Sequence, residues 1–254
     1  MFDMTGKVAL ITGATKGIGR AIAFAMADAG AKIVVSSRDA ERCAETEQAI
    51  KDAGGEATNF PCNISHHDQL QALVDHALET YGLIDTLVCN AAVNPHYGPM
   101  STVTVEAYDK IMNSNVRSNL WLCNMVLPQM AERKDGSVII ISSIAGLAGD
   151  KMLGIYALSK AADYQLARNL AVEWGEHNIR ANCIAPGLVK TDFAKALWED
   201  PERNAEAVKR YPLGRLGEPD DIAGAAVFLA ARAGAWVSGQ TFVIDGGWAV
   251  GRSP

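Results

Sequence analysis

The chain has 254 residues and a formal net charge of −6. That length suits one domain, and the acidic balance excludes attraction to nucleic-acid phosphates or anionic lipid, leaving small molecules as the expected partners. A membrane-spanning helix needs ~20 apolar residues, and the charge-free run Ile222–Ala231 falls far short of it.

The N-terminus carries Asp3 and soon enters the apolar run Val8-Ala9-Leu10-Ile11, unlike a cleavable signal peptide, so the expected compartment is the cytoplasm. Cys43, Cys62, Cys89, Cys123 and Cys183 are scattered, odd in number and without a CxxC pair, and read as reduced apolar filler. The histidines show neither HxxxH nor HExxH spacing, and no catalytic metal is expected.

In chain order, short β-branched runs predict strands at Val8–Thr12, Lys32–Ser36, Ala57–Cys62, Thr86–Cys89, Ser137–Ser142, Ile179–Ala185 and Phe242–Ile244. Segments of helical period separate them, among them Ala21–Ala29, Ala40–Ala53, Gln69–Tyr81, Tyr108–Ala131 and Ile155–Trp174. Asp39 can cap the second of these. Ser65 with Asp68 forms a near capping box for the third, and Gly30, Gly54 and Gly82 stand where preceding helices should end. The alternation predicts a doubly wound α/β fold, Rossmann-like, with about seven parallel strands and helices on both faces. Residues 1–254 read as one domain, with a cofactor half over about residues 1–140 and a catalytic and lid half over about 141–254.

The first strand runs into Thr12-Gly13-Ala14-Thr15-Lys16-Gly17-Ile18-Gly19 and then a helix. Glycines permit a tight turn and close approach of a pyrophosphate, while the helix start supplies free N–H donors and positive partial charge. The second strand ends in Ser36-Ser37-Arg38. A carboxylate there would bond both ribose hydroxyls of NAD; none is read at that corner, whereas Arg38, with Lys16 across from it, suits a 2′-phosphate. The expected cofactor is NADP(H), with NAD(H) as the alternative.

Tyr156 and Lys160 are spaced to share one helix face. A nearby ammonium stabilises a phenolate and brings the tyrosine, ordinarily near pKa ~10, toward proton exchange. A YxxxK also arises by chance with a probability of roughly a quarter at this composition, so the pair alone decides little.

The spacing Gly-x-x-x-Gly-x-Gly resembles that of the short-chain dehydrogenase/reductase family, and closest in pattern are the carbonyl and ketone reductases and the 3-oxoacyl-carrier-protein reductases. Further matches are Cys89-Asn90-Ala91-Ala92, Asn115, Ser143, Tyr156-x-x-x-Lys160, Pro186-Gly187 with Thr191, and Ile244-Asp245-Gly246-Gly247. The resemblance implies catalysis by Asn115, Ser143, Tyr156 and Lys160: Tyr156 exchanges the proton, Ser143 orients the substrate oxygen, and Asn115 holds a water connecting Lys160 to solvent. Ser142 is the competing assignment for Ser143. It also implies cofactor contacts from Gly13, Thr15, Lys16, Gly17, Ile18, Gly19, Ser37, Arg38, Asn63, Ile64, Asn90, Ala91, Tyr156, Lys160, Pro186, Gly187, Val189 and Thr191, and a homotetramer, with which Trp121, Leu122, Met125, Trp236 and Val237 agree. The chain departs from the pattern at Cys89 and Ala92, where the family's motif begins in Asn and ends in Gly. Asn63 replaces a common aspartate near the adenine, and its side-chain oxygen can still accept a hydrogen bond.

Phe193, Leu197 and Trp198, ahead of Glu199-Asp200-Pro201, read as an apolar lid, and with His96, Tyr97, Met152 and Leu153 suggest a hydrophobic carbonyl substrate; core packing or subunit contact would explain the same residues. The leading reading is an NADP(H)-dependent carbonyl reductase. The alternatives are an NAD-dependent alcohol dehydrogenase working oxidatively and a catalytically silent NADP(H)-binding regulator.

Overall fold

The computed structural model describes residues 1–251. Seven parallel strands form one sheet in the order β3-β2-β1-β4-β5-β6-β7, with β1 at Val8–Thr12, β2 at Lys32–Ser36, β3 at Glu56–Asn59, β4 at Thr86–Cys89, β5 at Gly136–Ile141, β6 at Ile179–Pro186 and β7 at Thr241–Ile244. The inner strands are apolar on both faces because helices cover both, and β1, β4 and β5 are buried along their whole length. One core lies between the sheet and α3 (His67–Tyr81), α5 (Ser118–Arg133) and α6 (Gly154–Trp174). The other lies under α1 (Gly17–Asp28), α2 (Ala40–Asp52) and α9 (Pro219–Ala230).

The chain reverses its direction of travel across the sheet between β1 and β4, which opens a crevice beyond the carboxyl ends of the strands.

The local expectations are met in most places. Asp39 accepts the Arg42 N–H at 3.1 Å and caps α2, and Gly30, Gly54 and Gly82 all take positive φ behind their helices. The near capping box does not form: α3 starts at His67 with His66 as its cap residue and no side-chain cap, while the Ser65 hydroxyl lies 3.0 Å from that of Ser114. The third strand ends at Asn59 and not at Cys62, because Pro61 has no N–H to continue the ladder. Beyond it, Phe60 N–H and Cys62 N–H still bond Val35 O and Ser37 O, so the chain keeps beside β2 without regular pairing.

The predicted single helix around Asn115 is interrupted. It consists of α4 (Val105–Met112), a π-helical turn at Asn113–Arg117, and α5. The expected apolar lid is helical too, with a 3₁₀ turn at Asp192–Ala194 followed by α7 (Lys195–Trp198) and α8 (Pro201–Val208). Among the described residues, no helix is long and apolar enough to cross a membrane, and no group of three or more His, Cys, Asp or Glu side chains is placed to hold a metal ion.

Candidate active site

A cleft of about 670 Å³ opens at the switch point, lined at one end by the β1–α1 loop and at the other by Tyr156, Lys160, Thr191 and Phe193. Of the residues expected to hold a dinucleotide, Gly13, Thr15, Lys16, Gly17, Ile18, Gly19, Ser37, Arg38, Asn63, Ile64, Asn90, Ala91, Tyr156, Lys160 and Thr191 all line it. Gly187 and Val189 instead border a smaller neighbouring cavity, and Pro186 borders neither. The reason is that β6 ends in Pro186 and Gly187 N–H pairs with Ile244 O, which turns this stretch toward the last strand.

The loop is built to admit a phosphate. Gly17 has φ +53°, which favours glycine, and a Cβ on Gly19 would lie 2.3 Å from Gly13 O and 2.4 Å from Asn90 Nδ2. Asn90 ties the loop to the fourth strand by donating from Nδ2 to Thr12 O at 2.9 Å and Gly13 O at 3.1 Å. The α1 start has no side-chain cap, so its first N–H groups face the cleft without an internal acceptor.

At the far corner stand Ser36, Ser37, Arg38, Asp39 and Arg42. Ser36 is 1% exposed and its hydroxyl has no hydrogen-bond partner in the protein. A buried orphan of this kind calls for an outside partner. One point of the sequence reading needs correction here. Asp39 does bring a carboxylate to this corner, but it is spent on capping α2 and on pairing with Arg42 at 3.3 Å. Lys16 is drawn toward Asp192 at 3.7 Å, on the lid side. Arg42, in the first turn of α2, is a further cation lining the same cleft, which the strand-end motif did not reveal. Asn63 lines the cleft, and its side-chain oxygen accepts the Ser65 N–H at 3.2 Å with a second lone pair to spare.

At the reacting end, α6 carries Tyr156 and Lys160, with the ammonium 5.8 Å from the phenol ring centre. Lys160 is 2% exposed and donates to Ile141 O at 2.9 Å and to Asp163 Oδ2 at 3.1 Å. Burial pushes the Tyr156 phenol above its ordinary range; Lys160 and the nearby Ser143 hydroxyl pull it down, and Asp163 pushes it up again. Lys160 thus acts on the phenol in the expected direction, and burial opposes it.

Ser143 follows β5 and accepts the Ala145 N–H at 3.1 Å, while the Tyr164 hydroxyl donates to its carbonyl. Ser142 donates to Lys160 O at 2.7 Å, fixing α6 against β5, and it borders the cleft, whereas Ser143 and Asn115 stand behind the lining. Asn115, fully buried in the π turn, spends both amide hydrogens on Val93 O and Ser159 Oγ, and its side-chain oxygen accepts Val93 N–H. Its side chain braces the β4 loop against α6. A relay water would have to use its carbonyl, which also accepts from Asn119 Nδ2 at 2.7 Å.

Phe193 covers the outer end, with its ring centre 6.0 Å from that of Tyr156, and Trp198 Nε1 donates to Thr191 O at 3.0 Å, holding the lid base. The loops bearing His96 and Met152 meet through Gly98 N–H and Met152 O, yet neither residue borders the cleft. Of the residues weighed as subunit contacts, Leu122 belongs to the core, Trp121 and Met125 pack against it, and Trp236 is fully exposed.

Comparison with known proteins identifies the family and the fold. Residues 13–249 match the family model described as enoyl-(acyl carrier protein) reductase. Dehydrogenase/reductase SDR family member 4 of Oryctolagus cuniculus is 41% identical over 244 residues, covering 96% of this chain and 94% of that one. A gluconate 5-dehydrogenase from Burkholderia cenocepacia, solved with NADP and tartrate, superposes with a TM-score of 0.94 at 32% identity over 99% of this chain and 98% of its own. A 7α-hydroxysteroid dehydrogenase, solved with NADH and 7-oxo glycochenodeoxycholic acid, gives 0.92 at 38% identity over 97% and 95%. A glycine cradle at the switch point, a tyrosine and lysine one helical turn apart facing it, and similarity along nearly the whole chain lead to one conclusion: the chain belongs to the short-chain dehydrogenase/reductase family.

Proposed function

We propose that the protein is an NADP(H)-dependent carbonyl reductase acting on a hydrophobic ketone, with Tyr156 as the proton donor. The observation that carries the chemistry is the pairing of Tyr156 with buried Lys160 at the end of a cleft whose other end is a phosphate cradle. When bound, the nicotinamide cofactor supplies or accepts the hydride. The relatives solved with NADH and with NADP show that the family's fold serves both, so the preference rests on this chain's own corner. Arg38 and Arg42 offer two guanidinium forks, Asp39 is neutralised by Arg42, and the Ser36 hydroxyl awaits an acceptor.

In the reductive direction the substrate oxygen accepts a proton from the Tyr156 hydroxyl while Ser143 orients it. Lys160 stabilises the resulting phenolate, and reprotonation follows through Lys160 and a water held at the Asn115 carbonyl. In this direction Tyr156 acts in its protonated form, which burial favours and Lys160 opposes. Phe193 over the tyrosine ring favours an apolar substituent on the ketone. The fully exposed Trp236 supports a homo-oligomer.

The test is loss of the near-ultraviolet absorbance of NADPH, against NADH, with a panel of aliphatic ketones, aryl diketones, β-ketoacyl thioesters and keto-sugar acids. Turnover with NADPH on the apolar ketones is expected. Preference for NADH, or activity confined to sugar acids, would refute the assignment.

A further inference from the structure

Asp163 lies three residues beyond Lys160 on α6 and is wholly buried, yet nothing in the proton transfer described above uses it. Its Oδ2 accepts from Lys160 Nζ at 3.1 Å and its Oδ1 from Asn119 Nδ2 at 3.1 Å. Asn119 stands on α5 and bonds Asn115 O with the same amide nitrogen. An ammonium has three hydrogens. Ile141 O and Asp163 take two on the sheet side, which leaves one for the cleft that Lys160 lines.

A buried carboxylate persists only when paired and hydrogen-bonded, and here both oxygens are engaged. The titratable groups around it are Lys160, Tyr156 and Tyr164 on α6, Cys183 on β6, Cys89 at the end of β4 and Cys123 on α5, with Arg168 acting on Cys183 from further along α6. Contact with Cys123 together with burial holds the Cys89 thiol well up, and burial does the same for Cys183 and brings Tyr164 to about 12. Burial pushes the Asp163 carboxyl up while Lys160 and Asn119 pull it down, so what faces Tyr156 is the Lys160 ammonium with this carboxyl bonded to it at 3.1 Å. Burial works against the ammonium of Lys160, but Asp163 and Tyr156 outweigh it and keep it protonated.

We propose that Asp163, held by Asn119, is a positioning residue for the oxidoreduction: it anchors Lys160 with one hydrogen toward the cleft and offsets its charge at Tyr156, which keeps the phenol in its proton-donating form to higher pH. This rests on the reading of Tyr156 as the donor. Its test therefore includes a measurement that does not depend on turnover.

Tyrosine labelled with ¹³C at Cζ gives the Tyr156 titration directly, assigned by its loss in Tyr156→Phe. In the wild-type protein the phenol is expected to titrate at or above the ordinary tyrosine value of ~10, and a value a unit or more below that overturns the proposal. In Asp163→Asn the midpoint is expected to fall by at least one unit, whereas in Asn119→Ala, where the carboxyl loses one hydrogen bond but keeps Lys160, it falls by less than half as much. An unchanged midpoint in Asp163→Asn, or an equal fall in both variants, overturns it; should Asp163→Asn not fold, the wild-type titration and Asn119→Ala decide. On any ketone that is turned over, the alkaline limb of the reductive kcat/KM profile should move down with the midpoint in Asp163→Asn, with NADPH affinity within ~3-fold of wild type. If no ketone is reduced but the titrations behave as stated, the functional reading fails while the role of Asp163 stands.

Discussion

Replacing Ser36 by alanine should change the stability of the protein and its affinity for NADPH in opposite senses. The Ser36 hydroxyl closes β2, is 1% exposed, borders the cleft and lacks a partner in the protein. An unsatisfied buried hydroxyl carries a desolvation cost of about 1–3 kcal/mol, which Ser36→Ala removes at the expense of one oxygen's packing. The variant alone should therefore gain ~1 kcal/mol, raising Tm by ~2–4 °C for a domain of this size. NADPH binding should lose a hydrogen bond with a net value of about 0.5–1.5 kcal/mol, a rise in Kd of roughly 2- to 10-fold. Differential scanning fluorimetry with and without saturating NADPH, together with a fluorescence titration for Kd, measures both. A variant that is less stable on its own and binds NADPH unchanged would show that the hydroxyl serves the fold and not the cofactor.

Gly19→Ala should weaken NADPH binding by roughly 5- to 150-fold, because its Cβ would meet the Gly13 carbonyl at 2.3 Å and the cradle must open by an overpacking cost of about 1–3 kcal/mol; equilibrium dialysis beside an unchanged circular dichroism spectrum checks this. Arg38→Asp should lower kcat/KM for NADPH by ~10²-fold while leaving NADH nearly unaffected, since it replaces a charge-assisted pair by like-charge repulsion; equal losses with both cofactors would place Arg38 outside the phosphate corner. Tyr156→Phe should cut turnover by ~10²-fold or more with NADPH affinity within ~2-fold, read by steady-state kinetics and direct titration. Away from the cleft, Arg215 forks onto Asp221 at 2.6 and 2.7 Å and, with the Glu218 N–H, holds that carboxyl down at about 2. A depressed carboxylate stabilises the fold above its unfolded value of 3.8 and loses that contribution as pH falls through about 2. Arg215→Ala should thus bring the Asp221 midpoint back toward 3.8 by NMR and make acid unfolding begin at higher pH.

The sheet was readable because parallel strands covered on both faces must be short and continuously apolar, and β1, β2 and β4 have the predicted bounds. The glycine loop was readable because its conformation and close contacts permit few other residues, and it faces Tyr156 and Lys160 across the cleft as the motif order suggests. What stayed hidden depends on where side chains turn. Ser65 and Asp68 have capping-box spacing, but the Ser65 hydroxyl meets Ser114 from a distant helix. Asp39 could be read as a cap, but not as a carboxylate in the cofactor corner, because that follows from the way α2 leaves β2. Arg42 was hidden for the same reason. Asp163 had a signal that could have been used: a carboxylate three residues beyond a helical lysine shares its face. Only the fold shows that the face is buried, and that Asn119 completes the site.

The π turn at Asn113–Arg117 fixes more than the place of Asn115. Each residue of an α-helix advances the side-chain direction by ~100°, so the wider loop acts as a phase shifter between two segments that serve different ends. Before it, α4 presents Ile111 to the interior; after it, α5 presents Leu122, Cys123, Val126 and Leu127 to the core. Substitutions on either segment leave that phase alone. Loss or gain of one residue within the turn would rotate one segment against the other and take either the Asn115 brace or the α5 core face out of alignment. The stretch should therefore tolerate changes of side chain while resisting changes of length, an asymmetry that a scan of single-residue deletions along residues 105–133 would show as a sharp minimum at the turn.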